Sequence, residues 1–188
     1  DEKVDKFEKI LSLNINNLIE FKEHIFNEIS ENKFEELVES ISQNGVLDPI
    51  IVRKITNDKY EIIAGHNRVR ACKELKMQTV PATIKNVDDD TAKLIMIDTN
   101  INRRDKLLPS ELMKAYSMKM EILKKAKMGQ SVLNEENSTE SKETREKIAE
   151  QENVSGRQIT RYLRLKELIP DILRCVDKDL IPFLAGVE

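Results

Sequence analysis

The 188-residue chain is 35% charged and 4% aromatic, lacks tryptophan and carries a formal net charge of −3. Its length permits one domain or two small ones, and an apolar fraction of 39% suffices for a core of Leu, Ile and Val packed largely through helices. The acidic balance excludes a protein that coats nucleic acid through its global field, so any DNA contact must come from a local basic surface. Cys72 and Cys175 lie far apart with no other ligand-type cluster beside them. That argues against a disulfide framework or a zinc site and for reduced thiols in a cytosol. No apolar run is long enough to span a bilayer and no signal-peptide pattern is present, so a cytoplasmic protein without membrane contact is expected. The chain starts at Asp1 and not at a methionine, and stops at Glu188 just after an apolar stretch; it reads as a fragment of a longer protein.

Residues 1–30 are weakly patterned, an irregular lead-in with one short strand expected near Leu11–Leu18. Lys33–Asn44 reads as a helix, because Phe34, Leu37, Val38 and Ile41 recur at helical spacing and Asn44-Gly45 supplies a stop. Pro49–Arg53 and Tyr60–Ala64 are strand-like, joined through an Asn57-Asp58 turn as a hairpin. A helix over Val69–Leu75 and a strand over Val80–Ile84 follow. Beyond Asp88-Asp89-Asp90 the pattern is helical: Thr91–Asn100 forms one helix, Asn102–Leu108 breaks it, and Pro109 opens another that runs to about Met128. Gly129–Ser141 is polar and reads as a flexible linker, and Thr144 onward is helical again. The expected class is α+β, with boundaries at 1–90 for the α/β part, 91–128 for connecting helices, 129–141 for the linker and 142–188 for a helical domain.

Arg145–Arg164 has the pattern of a helix-turn-helix. Ile148 and Ala149 suit the inner face of a first helix, and Asn153 suits a tight turn because Asn tolerates positive φ. Val154 fits the corner between the helices, Ser155 is a good N-cap, and Ile159, Tyr162 and Leu163 would face inward on the second helix. Gly156, Arg157, Gln158, Thr160, Arg161 and Arg164 are then left outward. Arg and Gln can bond guanine and adenine edges in pairs, whereas Ser155 and Thr160 suit phosphate or mixed contacts. Between Lys142 and Lys166 seven Lys and Arg stand against four Glu, a local basic surplus. An ordinary helical hairpin with a solvated charged face is the plainer alternative.

Gly65-His66-Asn67-Arg68-Val69-Arg70-Ala71 follows a strand and opens a helix. Glycine allows close approach of a ligand to the backbone, the helix N-terminus favours anions, and Arg68 and Arg70 add charge. Those are the parts of a phosphate cradle, although a strand-capping glycine before a solvated helix would look similar. A second polar cluster, Asn100-Ile101-Asn102-Arg103-Arg104-Asp105, supplies amides and guanidinium forks suited to a triphosphate or its metal.

The order of these segments resembles the ParB/RepB/Spo-type chromosome and plasmid partition proteins. It runs "SISQNGVLDPIIVRK", "YEIIAGHNRVRACKEL", "VPATI" and "TNINRRDKLLPSELMKAY", then the helix-turn-helix, over roughly residues 10–175. The resemblance implies a ParB/sulfiredoxin-like α/β N-terminal domain that binds CTP with Mg2+, followed by an all-α helix-turn-helix domain that recognises a palindromic site on double-stranded DNA. It also implies a homodimer, formed through a C-terminal segment missing here, that closes on nucleotide binding into a sliding clamp. A ParA-type ATPase partner would act through a tail not visible in this chain, and the protein would associate with the nucleoid or a plasmid. The family's first motif usually reads Gly-Glu-Arg-Arg; Gly65 and Arg68 match its ends, Arg70 and Ala71 its continuation, and His66 and Asn67 depart. A later Glu-Asn-X-X-Arg-Glu motif is matched by Asn100, as the metal-side residue, and Arg103, with Thr99 and Arg104 in place of the acids. A proline-arginine box before the first helix has His24-Ile25-Phe26 near its place.

The expected nucleotide-binding set is therefore Gly65, His66, Asn67, Arg68, Arg70, Asn100 and Arg103. The expected DNA-binding set is Ser155, Gly156, Arg157, Gln158, Thr160, Arg161 and Arg164. With the acidic motif positions replaced, binding is expected, any CTP hydrolysis would be weak, and no catalytic residue is assigned. The competing readings are a nucleotide-dependent enzyme on the same scaffold, with Glu61 as the nearest candidate base, and a transcriptional regulator that uses no nucleotide.

Overall fold

The computed structural model describes residues 9–104, 106–128 and 137–187. Contacts divide the chain into two units, Asp1–Thr99 and Asn100–Glu188. The first holds strands β1 (Ile10–Asn14), β2 (Leu18–Glu20), β3 (Ile50–Lys54), β4 (Tyr60–Ala64) and β5 (Thr79–Lys85), with helices α1 (Glu31–Asn44) and α2 (His66–Glu74). The sheet order is β1-β5-β3-β4-β2, with β1/β5 and β3/β4 antiparallel and β5/β3 and β4/β2 parallel. The expected hairpin is thus present as the antiparallel β3/β4 pair, with its register shifted between Ile51 and Val52.

The single strand expected near Leu11–Leu18 is two strands on opposite edges. Asn14 is the reason for the break, since its Oδ1 accepts from Asn16 N–H at 2.9 Å and turns the chain into a short 3-10 segment over Ile15–Asn17. That link also dictates the sheet's shape. Flat, five strands would hold their edges about 19 Å apart, whereas the four steps from Asn14 to Leu18 reach about 14 Å at most. The sheet therefore curls. Its inner face supplies Ile50, Val52, Ile62, Val80 and Ala82, which pack with Phe34 and Ile41 of α1 and Val69, Ala71 and Cys72 of α2. Alternation sends Ile63 to the opposite face, where it is also fully buried. Helix α1 ends at Gly45, whose φ is 70° and whose N–H donates to Ile41 O at 2.8 Å.

Helix α3 (Asp89–Arg103) starts two residues earlier than its pattern predicts and ends three residues later, so it takes up Asn102 and Arg103 and leaves the described residues 104 and 106–108 as the break before α4. Asp88 Oδ1 accepts from Thr91 N–H at 2.8 Å, and Asp89 and Asp90 suit the positive end of the helix as Arg103 suits the negative end. Asn100, Asn102 and Arg103 therefore stand on a helix and not in a break.

The described elements of the second unit are helical: α4 (Pro109–Met128), α5 (Asn137–Gln151), α6 (Gly156–Arg164) and α7 (Pro170–Asp177). Pro109 occupies the first position of α4, and Glu111 reaches back to accept from Leu108 N–H at 2.8 Å, the carboxylate half of a capping box. Tyr116, Ile148, Ala149 and Ile159 form one buried cluster, and Met113, Leu165 and Val187 another. Of the linker expected at 129–141, residues 129–136 lie outside the described residues and 137–141 belong to α5. Among the described residues no helix is long and apolar enough to cross a membrane.

Candidate functional site

Gly65 joins β4 to α2 at φ 105° and ψ 23°, a left-handed conformation that a side chain resists. Val69 N–H donates to Gly65 O at 3.1 Å, so His66, Asn67 and Arg68 form the first turn of α2. The helix thus begins three residues before the predicted Val69, and the cradle motif is itself the positive helix end. A Cβ on Gly65 would lie 2.7 Å from Ile50 Cγ2. Conformation and space both require glycine there.

The two cradle arginines are held by protein groups. Arg68 Nη1 donates to the carbonyls of Asp48 and Pro49, the latter at 3.0 Å, and so ties the chain entering β3 to α2. Arg70 donates to Glu28 Oε2 at 2.7 Å and lies over the Phe34 ring at 3.8 Å. The ring of His66 lies 4.1 Å from that of His24, which in turn stands edge-on to Phe26 at 6.0 Å. The chain's two histidines meet although 42 residues separate them, a proximity no local pattern could signal.

The lead-in read as irregular is fastened at several points. Phe21 and Phe26 are buried, Arg53 sits over Phe21 at 5.6 Å, and Lys93 bonds Glu23 at 2.9 Å. With the His24 and Glu28 contacts, residues 21–28 become one wall beside the first turn of α2.

The candidate base Glu61 and the Cys72 thiol are both buried. Glu61 accepts from Arg53 at 2.7 Å, so its carboxylate is engaged within the protein. Burial pushes the Cys72 thiol up, against an opposing pull from Arg68, which leaves it an inert thiol at neutral pH. Among the described residues no group of three His, Cys, Asp or Glu could hold a metal ion. Asn100 and Arg103 occupy the last turn of α3, and Arg104 just beyond it pairs with buried Glu111 at 3.5 Å.

In the second unit, α5 and α6 meet through a tight turn. Asn153 has φ 53°, Val154 N–H donates to Ala149 O at 2.9 Å, and Ser155 Oγ accepts from Gln158 N–H at 3.1 Å. Ile148, Ala149 and Ile159 are buried, with Val154, Tyr162 and Leu163 packed on them. Arg157, Gln158, Arg161 and Arg164 are exposed along one helix. Two members of the expected outward set are placed otherwise. Gly156 is buried against the Glu146 side chain of α5, whose carboxylate a Cβ would meet, and so does not face outward. Thr160 is half-buried and its hydroxyl donates to Gly156 O at 3.0 Å, within its own helix. Lys119 on α4 and Glu152 at the turn form a buried pair that no local pattern signals, since the two residues lie 33 apart.

The fold and site define an α/β domain with a glycine-capped basic helix, followed by a helical unit that exposes a second basic helix. The chain belongs to the ParB N-terminal domain family, whose model matches residues 1–101. It is 43% identical over 86 residues to a nucleoid occlusion protein of Listeria innocua, across 46% of this chain and 30% of that protein. It is 31% identical over 150 residues to a probable chromosome-partitioning protein ParB of Vibrio cholerae, across 80% of this chain and 45% of that protein. The matched stretches cover less than half the length of these curated relatives. A crystal structure of C-terminally truncated ParB from Caulobacter crescentus, complexed to the centromeric parS site, superposes with a TM-score of 0.62 at 23% identity. That match covers 92% of this chain and 80% of that one, and concerns the fold.

Proposed function

We propose that the chain is the nucleotide-binding and DNA-reading part of a partition or nucleoid-associated protein, with α5 and α6 acting as a helix-turn-helix. The observation that carries this is the row of Arg157, Gln158, Arg161 and Arg164 exposed on α6, behind a turn built with a positive-φ Asn153 and a Ser155 cap. Those side chains can pair with guanine and adenine edges, and the N-terminus of α6 suits a phosphate. The parS complex of the Caulobacter relative supports DNA as the partner, and family membership supports a symmetric duplex bound by two copies. Selection from a random duplex pool tests this. One enriched sequence class is expected, and none would refute the DNA-reading role.

The second part of the proposal is CTP bound at Gly65 and the first turn of α2, with Arg68 and Arg70 toward the phosphates and the His24–His66 pair beside them. Arg70 would exchange Glu28 for a phosphate, a trade of one anion for a more highly charged one. Asn100 and Arg103 keep the second family motif, whereas Arg104 is committed to Glu111. The acids that would manage metal and water are replaced, so binding is proposed and not turnover. Isothermal titration with CTP, with and without the enriched duplex, should give heat in at least one condition. No heat in either would remove the nucleotide while leaving DNA reading intact.

A further inference from the structure

Lys119 Nζ donates to Glu152 Oε1, and the two side chains are only 3% and 4% exposed. Withdrawing two ions from water is costly, and a well-packed apolar pair commonly serves stability as well or better. Stability alone therefore does not account for charges at this place. Direction does. An ion pair fixes distance and angle, whereas apolar side chains can slide.

The pair's position shows what it would orient. Lys119 lies within α4, and Glu152 falls between the end of α5 and Asn153, the positive-φ residue of the turn. Tyr116, one turn before Lys119, shares its face of α4. Its hydroxyl is pushed up to about 12, first by burial and then by the nearby charge of Glu152. The Tyr116 ring lies 5.6 Å from that of Tyr162 on α6, and Tyr162 lies 4.8 Å from Phe183. One face of α4 thus grips the turn through Lys119 and supports α6 through Tyr116.

We infer that Lys119 and Glu152 are positioning residues for DNA recognition, fixing the turn and so the angle at which α6 presents Arg157, Gln158 and Arg161. This rests on the reading of α6 as the DNA-reading helix. The test is a Lys119→Met, Glu152→Leu double variant of the whole chain, titrated by fluorescence anisotropy against two duplexes. One is the duplex enriched from a random pool by the unaltered chain; the other is a shuffled duplex of equal length and composition. The ratio of the two affinities should fall about ten-fold or more as base contacts are misplaced. Affinity for the shuffled duplex should stay within about two-fold, because phosphate contacts tolerate small rotations, and Tm should hold or rise. An unchanged ratio overturns the inference. A fall in Tm with parallel loss of both affinities also overturns it, as that is a purely structural role. If the double variant does not fold by circular dichroism, Glu152→Gln carries the same comparison, with a lowered ratio supporting and an unchanged one overturning. If the unaltered chain itself prefers neither duplex, the DNA-reading role fails and this inference with it.

Discussion

Replacing Gly65 by alanine strains the fold in two ways that add. At φ 105° an alanine backbone is disfavoured, by about 1–2 kcal/mol per residue in the left-handed region. The new Cβ would also lie 2.7 Å from Ile50 Cγ2 and 3.1 Å from Ile50 Cβ, and Ile50 is fully buried in the sheet and has nowhere to retreat. Overpacking of that kind costs about 1–3 kcal/mol, so the total is about 2–5 kcal/mol. Gly156 makes the control. A Cβ there would meet the Glu146 carboxylate, with Cδ at 2.7 Å, but that side chain is 56% exposed and can swing aside. The backbone φ is not positive and alanine gains helix propensity, so Gly156→Ala should fall within about 1 kcal/mol of the unaltered chain. Urea unfolding followed by far-ultraviolet circular dichroism measures both. A Gly65→Ala variant within about 0.5 kcal/mol of the unaltered protein, or one less damaged than Gly156→Ala, would refute the reasoning.

Lys119→Met alone leaves a buried carboxylate unmatched and should cost about 3–5 kcal/mol in the same unfolding assay, whereas the apolar double variant should not. The raised Tyr116 hydroxyl predicts alkaline loss of stability. An unfolded tyrosine ionises near 10, the folded one near 12, so its contribution is complete below the lower value and is lost as pH rises through the upper one. Tyr116→Phe should flatten that part of the profile. Glu28→Gln releases Arg70 from its exposed partner and should tighten CTP binding by about 1.5- to 5-fold at low salt, the worth of a surface ion pair, measured by isothermal titration. Arg161→Ala should weaken binding to the enriched duplex by about 1–3 kcal/mol while leaving the shuffled duplex nearly unaffected.

Legibility in the sequence followed the range of the interactions concerned. Helical spacing and local caps placed α1, α4 and the turn at Asn153 and Ser155 closely, because those signals sit within a few residues. The break at Asn14 was missed because a single side-chain bond decides it, inside an otherwise strand-like run. The start of α2 was misplaced because Gly65 begins the helix without a capping side chain. Gly156 looked outward from its helical phase alone; its burial depends on the Glu146 side chain of α5. The contacts of His24 with His66, Glu28 with Arg70 and Lys119 with Glu152 all join distant residues, and only the fold brings them together.

The central claim is that α6 reads bases, and Gln158 tests it most directly. Its side chain is exposed at the start of α6 and suits an adenine edge, while its backbone N–H is already held by Ser155. Duplex selection repeated with Gln158→Ala should return the same overall sequence class with preference relaxed at one base pair in each half-site. An identical preference at every position, or a uniform loss of binding with no position singled out, would contradict it.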